Sequence, residues 1–156
     1  MGHRGRKPPQ AQRGLAMVEM VITLPLLVLL LFTFGEFGRM LFQYNSLMQA
    51  SRDAGRFVAG QAWNATLGKV EVSDTLRAQA QSVAVYGVPA NPNGYPAVVP
   101  GLTTGKVSVT VVGTDHVQVS INYTFLPVIG SALPAFYGQS EPLGLTLTST
   151  LVMRAL

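Results

Sequence analysis

The sequence predicts an α+β protein: a long N-terminal helix packed on a small antiparallel sheet of about three strands, plus a second short helix. Three observations carry that prediction. An unbroken apolar run fills 15–34, apolar residues then recur every three or four positions through 35–60, and strict alternation takes over in the last third. The chain has 156 residues, enough for one modest domain. Only 12% of them are charged, against about 25% in ordinary globular chains, and the mean hydropathy is positive at +0.32. Part of the molecule is therefore not solvated in the usual way.

The run LAMVEMVITLPLLVLLLFTF at 15–34 comes first. At 1.5 Å per residue it spans about 30 Å, the thickness of a hydrocarbon core. Arg4, Arg6, Lys7 and Arg13 all precede it, with no acidic residue among them. A basic flank of this kind keeps the N-terminus cytoplasmic and sends the rest of the chain across the membrane. A cleaved secretory signal shares the basic flank, but no small-x-small site closes this run; it continues into FTFGEFGRM. Pro25 has no N–H to offer the carbonyl of Val21, so a local kink or loosened turn is expected there. Glu19 stands within the run. On translocon scales a carboxylate near the bilayer centre costs about 2.5–3.5 kcal/mol, and less near the edge where Glu19 lies. Position alone leaves two readings open: a functional carboxylate with a partner, or a side chain that snorkels to the headgroups.

The helix pattern continues through 35–60. Phe37, Met40, Leu41, Tyr44, Leu47, Met48, Ala54 and Val58 form an apolar stripe. Arg39, Gln43, Ser46, Gln49, Asp53 and Arg56 fall opposite, and Gly60 is a natural stop. The spacing predicts one continuous helix over about 15–59. A second helix is expected over 74–86, with Leu76, Ala80, Val83 and Ala84 on one face and Ser73 or Asp74 as N-cap. Residues 64–72 have no decisive pattern, and 88–105, with four prolines and three glycines, reads as an extended loop.

Alternation then begins. Val107, Val109 and Val111 share one face of the first strand, and Val117, Val119, Ile121, Tyr123 and Phe125 one face of the second. The two are joined as a hairpin through Gly113-Thr114-Asp115. The closing run sets Leu143, Leu145, Leu147, Leu151 and Met153 against Thr146, Thr148 and Thr150. Three strands with one apolar face need a cover, which the amphipathic half of the long helix supplies. The greasy connection 126–142 is expected to fold over an open end of the sheet or to meet a partner or membrane.

Several function classes are excluded by inventory. From Leu15 onward seven basic residues balance seven acidic ones, so the pI near 9.8 belongs to the leader and no basic nucleic-acid face is visible. There is no cysteine, hence no disulfide, zinc-thiolate site or thiol nucleophile. His3 and His116 are the only histidines, and Asp115-His116 reads as turn chemistry rather than a ligand set. No nucleophile elbow, phosphate loop or dinucleotide fingerprint occurs. Asn64-Ala65-Thr66 is formally a glycan sequon, a match short enough to arise by chance. The sequence predicts no enzyme, no cofactor, no metal site and no small-molecule substrate.

A basic leader ending in glycine, followed by an apolar helix with glutamate at its fifth residue, resembles the processing site of type IV pilins and pseudopilins. More specifically, RGLAMVEMVITLPLLVLLLF, then EFGR at 36–39 and QASRDAGRFVA at 49–59, resembles the TadE/TadF-like minor pilins of tight-adherence (Tad or Flp, type IVc) pili. VQVSINYTFLPVIG and LTLTSTLVMR are similar to that family's ending, while 61–105 carries no distinctive match. The family usually has an aromatic after the glutamate; Met20 stands there in this chain. The resemblance implies a pilin-like minor subunit that contributes to pilus assembly, surface adherence and biofilm formation. It implies a basic cytoplasmic leader at 1–14, a transmembrane half-helix at 15–34, an amphipathic half at 35–60 and an exported α+β domain at 61–156. It also implies scission by a prepilin peptidase between Gly14 and Leu15, with Glu19 as the assembly carboxylate. Glu36, Phe37, Arg39, Arg52, Asp53 and Arg56 are the implied contacts to other pilin-like subunits and the assembly platform, in a bacterial inner membrane. An unprocessed single-pass scaffold or adaptor, or a module secreted after ordinary signal removal, are the alternatives.

Overall fold

The computed structural model describes residues 10–128 and 144–155, with side chains from Gly14 onward. The chain divides into two compact units after Gly38. One helix, α1 (Gln10–Ala59), supplies the described part of the first unit and opens the second. It begins about five residues earlier than its apolar pattern, because the residues before Leu15 are polar but not helix-breaking from Gln10 on. Pro25 lies inside it, and Thr23 Oγ donates to the Glu19 carbonyl at 2.9 Å, a local bond between successive turns.

Within the first unit, every residue from 14 to 35 is exposed. α1 is long and apolar enough to cross a membrane. Among the described residues nothing covers that surface.

The second unit has a core. Its sheet consists of β3 (Val107–Val112), β4 (His116–Thr124) and β5 (Thr146–Arg154), antiparallel in the order β3-β4-β5. The preceding strands β1 (Trp63–Asn64) and β2 (Lys69–Val70) form a separate two-residue hairpin in the stretch whose sequence has no decisive pattern. Asn64 explains that hairpin. Its Oδ1 accepts the backbone N–H of Thr66 and Leu67 at 3.0 and 3.2 Å, and its Nδ2 donates to Glu71 at 2.8 Å. The sequon asparagine is thus the hinge of an Asx turn.

Helix α2 (Asp74–Tyr86) occupies the span its pattern predicts. Ser73 caps it, accepting Leu76 N–H, and Gly87 closes it in the left-handed conformation at φ 76°. Leu76, Ala80, Val83, Ala84 and Val85 are buried. In the loop that follows, Val99 and Leu102 enter the core, and Pro100 offers its carbonyl to Tyr123 Oη at 2.9 Å. The β3–β4 hairpin turns at residues 113–115 as the sequence predicts, with Gly113 at φ 66°. Val107, Val109, Val117, Val119, Ile121, Tyr123 and Phe125 are buried, but Val111 is exposed.

The stripe of α1 that meets the sheet differs from the expected one. Gln43, Leu47, Ala50, Ser51, Ala54, Gly55 and Val58 are buried, whereas Phe37, Leu41 and Tyr44 are exposed. Small residues win because they admit the side chains of β5. A Cβ on Gly55 would lie 2.8 Å from Leu151 Cδ2 and 3.2 Å from Met153 Sδ. Ser51 and Ser149 Oγ share a buried hydrogen bond of 2.9 Å. Gln43, expected on the polar face, therefore turns inward, while Leu145, expected inward, is exposed. Leu143 and most of the greasy 126–142 connection lie outside the described residues.

Candidate functional site

The candidate site is the segment 13–20 with the helix positions beyond it. Gly14, Leu15 and Glu19 all lie within α1, and all three are exposed. The helix arises from a run of good helix formers, and Gly14 is its weakest link, worth about 1 kcal/mol less than alanine in a helix interior. Nothing lies within 4 Å of where a Cβ on Gly14 would stand. Packing among the described residues therefore does not demand the glycine. Helical spacing sets Leu15 and Glu19 one turn apart on one face. Among the described residues no cation pairs with the Glu19 carboxylate.

The other sequence-predicted positions fall into two groups. Phe37, Arg52, Asp53 and Arg56 are exposed, the last three on the part of α1 that turns away from the sheet; Glu36 is half-exposed. Arg39 is different. Its guanidinium carbon sits 4.6 Å from the centroid of the Phe125 ring, and it donates to the Leu126 carbonyl. Arg39 thus ties α1 to the end of β4. Its neighbour Tyr123 has its hydroxyl pKa pushed up by burial, an effect that the positive charge of Arg39 partly offsets.

Asp115 shows the turn chemistry expected of the Asp115-His116 pair. Its carboxylate meets His116 Nδ1 at 2.7 Å and Arg154 Nε at 3.2 Å, and its carbonyl accepts Ala155 N–H. The hairpin turn is thereby fastened to the end of β5. Among the described residues no group of three or more His, Asp or Glu is placed to hold a metal.

Sequence reasoning placed Ala54 on the buried stripe but missed Ala50, Ser51 and Gly55 beside it. The signal was present, since these residues recur at helical spacing inside QASRDAGRFVA. Weighing bulk alone favoured Leu41 and Tyr44.

Residues 14–56 match the model of the TadE-like protein family, the pilin-like family of Tad pili. The match begins at Gly14, contains Leu15 and Glu19, and ends at Arg56, one residue past the Gly55 that receives β5. No curated protein and no solved structure matches the chain.

Proposed function

We propose, from the TadE-like match over 14–56, that this chain is a processed, pilin-like minor subunit of a Tad pilus, structural rather than catalytic. The carrying observation is that the match opens on Gly14 and reaches Glu19 on an exposed apolar helix. In this reading a prepilin peptidase cuts Gly14–Leu15 on the cytoplasmic face and removes all four leader charges. Inside α1 the scissile turn must open first, and a glycine that no neighbour requires lowers that barrier. The new α-amine of Leu15 lies one turn from Glu19. In a low-dielectric setting the ammonium and carboxylate attract strongly, and each is costly alone. An amine donated by a neighbouring subunit would set axial register as the apolar helices pack. The segment 15–34 holds the chain in the inner membrane, N-terminus cytoplasmic, and 61–156 is exported. The partners are the peptidase, other pilin-like subunits, the assembly platform and membrane lipid, and the output is adherence and biofilm formation.

Intact mass and N-terminal sequencing of the protein from its native membrane test this reading. Processing predicts a chain that begins at Leu15. A second reading, an unprocessed single-pass scaffold, draws on the extension of α1 back to Gln10, which places the scissile bond in helical backbone. A native chain that retains Met1 selects the scaffold.

A further inference from the structure

A side-chain amide is easiest for the next backbone nitrogen to reach when the next residue is glycine, because no Cβ blocks the approach. The chain has five asparagines, Asn45, Asn64, Asn91, Asn93 and Asn122, and only Asn93 precedes a glycine. The structure separates them further.

Four are withheld from that chemistry, each for its own reason. Asn45 lies inside α1, where the N–H of Ser46 belongs to the helix ladder. Asn122 lies in β4. Its Oδ1 accepts Thr148 Oγ1 at 3.0 Å, and Tyr123 after it pairs with Leu147 in the β4–β5 ladder. Asn64 has both ends of its amide engaged, by the Thr66 and Leu67 N–H groups and by Glu71. Asn91 is followed by Pro92, which has no N–H to give up. Its amide instead clamps the loop, accepting Tyr95 N–H at 2.7 Å and donating to the Tyr95 carbonyl at 3.0 Å.

Between those clamp points Asn93 and Gly94 are exposed. Gly94 sits at φ 67°, and among the described residues nothing lies within 4 Å of where its Cβ would stand. Its N–H reaches the Asn91 carbonyl only at 3.4 Å, beyond the usual range of about 2.7–3.2 Å. Among the described residues the Asn93 amide makes one bond, from Nδ2 to Tyr95 Oη, also at 3.4 Å. Nucleophile and electrophile are thus adjacent in the chain, weakly held and open to water.

We propose that Asn93-Gly94 is a self-modification site, at which Asn93 loses ammonia through a cyclic imide and becomes aspartate or isoaspartate. Gly94 N gives its proton to hydroxide and attacks Asn93 Cγ. The Cγ–Nδ2 bond breaks, and the nitrogen takes a proton from water and leaves as ammonia. Water then opens the imide. Attack at Cγ gives aspartate, and attack at the main-chain carbonyl carbon gives isoaspartate, with a methylene inserted in the backbone. Either product sets a carboxylate near the Tyr95 hydroxyl and adds a negative charge to the chain. Val99 and Leu102 anchor the loop downstream in the core, so the change is confined to the exposed turn.

The test incubates the full chain in detergent at mildly alkaline pH in heavy-oxygen water and maps its peptides. The peptide holding Asn93 gains a carboxylate that carries the heavy oxygen and splits into aspartyl and isoaspartyl forms. The second of these accepts methyl groups from an isoaspartyl methyltransferase. The rate rises with pH, because the attacking species is the deprotonated Gly94 nitrogen. Peptides holding Asn45, Asn64 and Asn122 stay unchanged. Asn93→Gln keeps an amide but sets it a methylene farther from the nitrogen, so the acidic forms are lost while the unfolding midpoint stays put, as for a surface change. An Asn93 that survives the incubation intact overturns the proposal. So does conversion to aspartate alone, which marks direct hydrolysis with no imide. Conversion at Asn45, Asn64 or Asn122 as fast as at Asn93 also overturns it, because the fold then protects none of them. None of these readouts depends on processing or piliation.

Discussion

The two parts of α1 use one helix for opposite ends. From 14 to 35 it exposes every residue, large and apolar, and carries a single charge, Glu19. From Arg39 to Ala59 it buries a narrow seam of Leu47, Ala50, Ser51, Ala54, Gly55 and Val58, with Arg52, Asp53 and Arg56 outside. Bulk therefore marks the part that the described residues leave exposed, and smallness marks the part that meets β5. Hydrophobicity alone does not say which face of a helix meets its own domain. Side-chain size does, because a strand can approach a helix backbone only where there is little to displace.

The sharpest way to break this contrast is to change the first part and ask whether the second notices. Gly14→Phe should leave the chain at its precursor mass and abolish its pilus function, while thermal unfolding of the sheet domain stays within about 0.5 kcal/mol of wild type, as for a remote surface change. Normal cleavage in that variant would sink the processing reading. Glu19→Val should still insert and be cut, again without effect on the fold, yet fail to support piliation. Full piliation would reduce Glu19 to a snorkelling boundary residue.

The converse change belongs at Gly55. A valine there must push Leu151 and Met153 away from contacts already at 2.8 and 3.2 Å for Cβ alone. Overpacking of this kind costs about 1–3 kcal/mol. Denaturant unfolding of the Gly55→Val protein should show that loss, and N-terminal processing should be unchanged. A Gly55→Val protein as stable as wild type would show that β5 can yield, and that the small-residue seam is not what holds the sheet on α1.

How much of this was legible in the sequence follows from what each signal reports. Period and alternation report local geometry, so α2, its Ser73 cap, the 113–115 hairpin and the facing of β4 could be read directly. The α1 contact face could not be read from apolar period alone, because Leu41 and Tyr44 fit the same helical spacing as Leu47 and Val58. The β1–β2 hairpin depends on the side-chain amide of Asn64, which leaves no periodic trace. In the candidate site, Gly14, Leu15 and Glu19 were legible as a motif, and the structure adds that no described residue packs where a Gly14 side chain would stand. The role of Arg39 was not legible. A cation opposite an apolar stripe reads as solvated until Phe125, 86 positions later in sequence, arrives beside it.

A smaller effect probes the seam without adding bulk. Ser149→Ala removes one partner of the buried Ser51–Ser149 bond. Ser51 Oγ also donates to the Met48 carbonyl at 2.9 Å, so it is not stranded. The loss should be about 1 kcal/mol, and a Ser51→Ala/Ser149→Ala double mutant should cost less than the sum of the singles. Strict additivity would mean that the two hydroxyls do not interact in solution.

The last handle is Tyr123, where the domain can be interrogated by pH alone. Burial raises the Tyr123 hydroxyl pKa above its ordinary value of 10.0, with Arg39 pulling partly the other way. The native state therefore holds this proton more tightly than the unfolded chain does. Linkage then requires that the associated stability be fully present below about pH 10 and be lost as pH rises through the higher native value. Tyr123→Phe removes that dependence together with the hydrogen bond to Pro100, so it should be about 1 kcal/mol less stable at neutral pH. Above pH 10 the two proteins should converge, as wild type loses what the phenylalanine variant never had. Parallel stability curves for the two proteins from pH 7 to 11 would show that Tyr123 ionises as freely in the folded domain as in the unfolded chain.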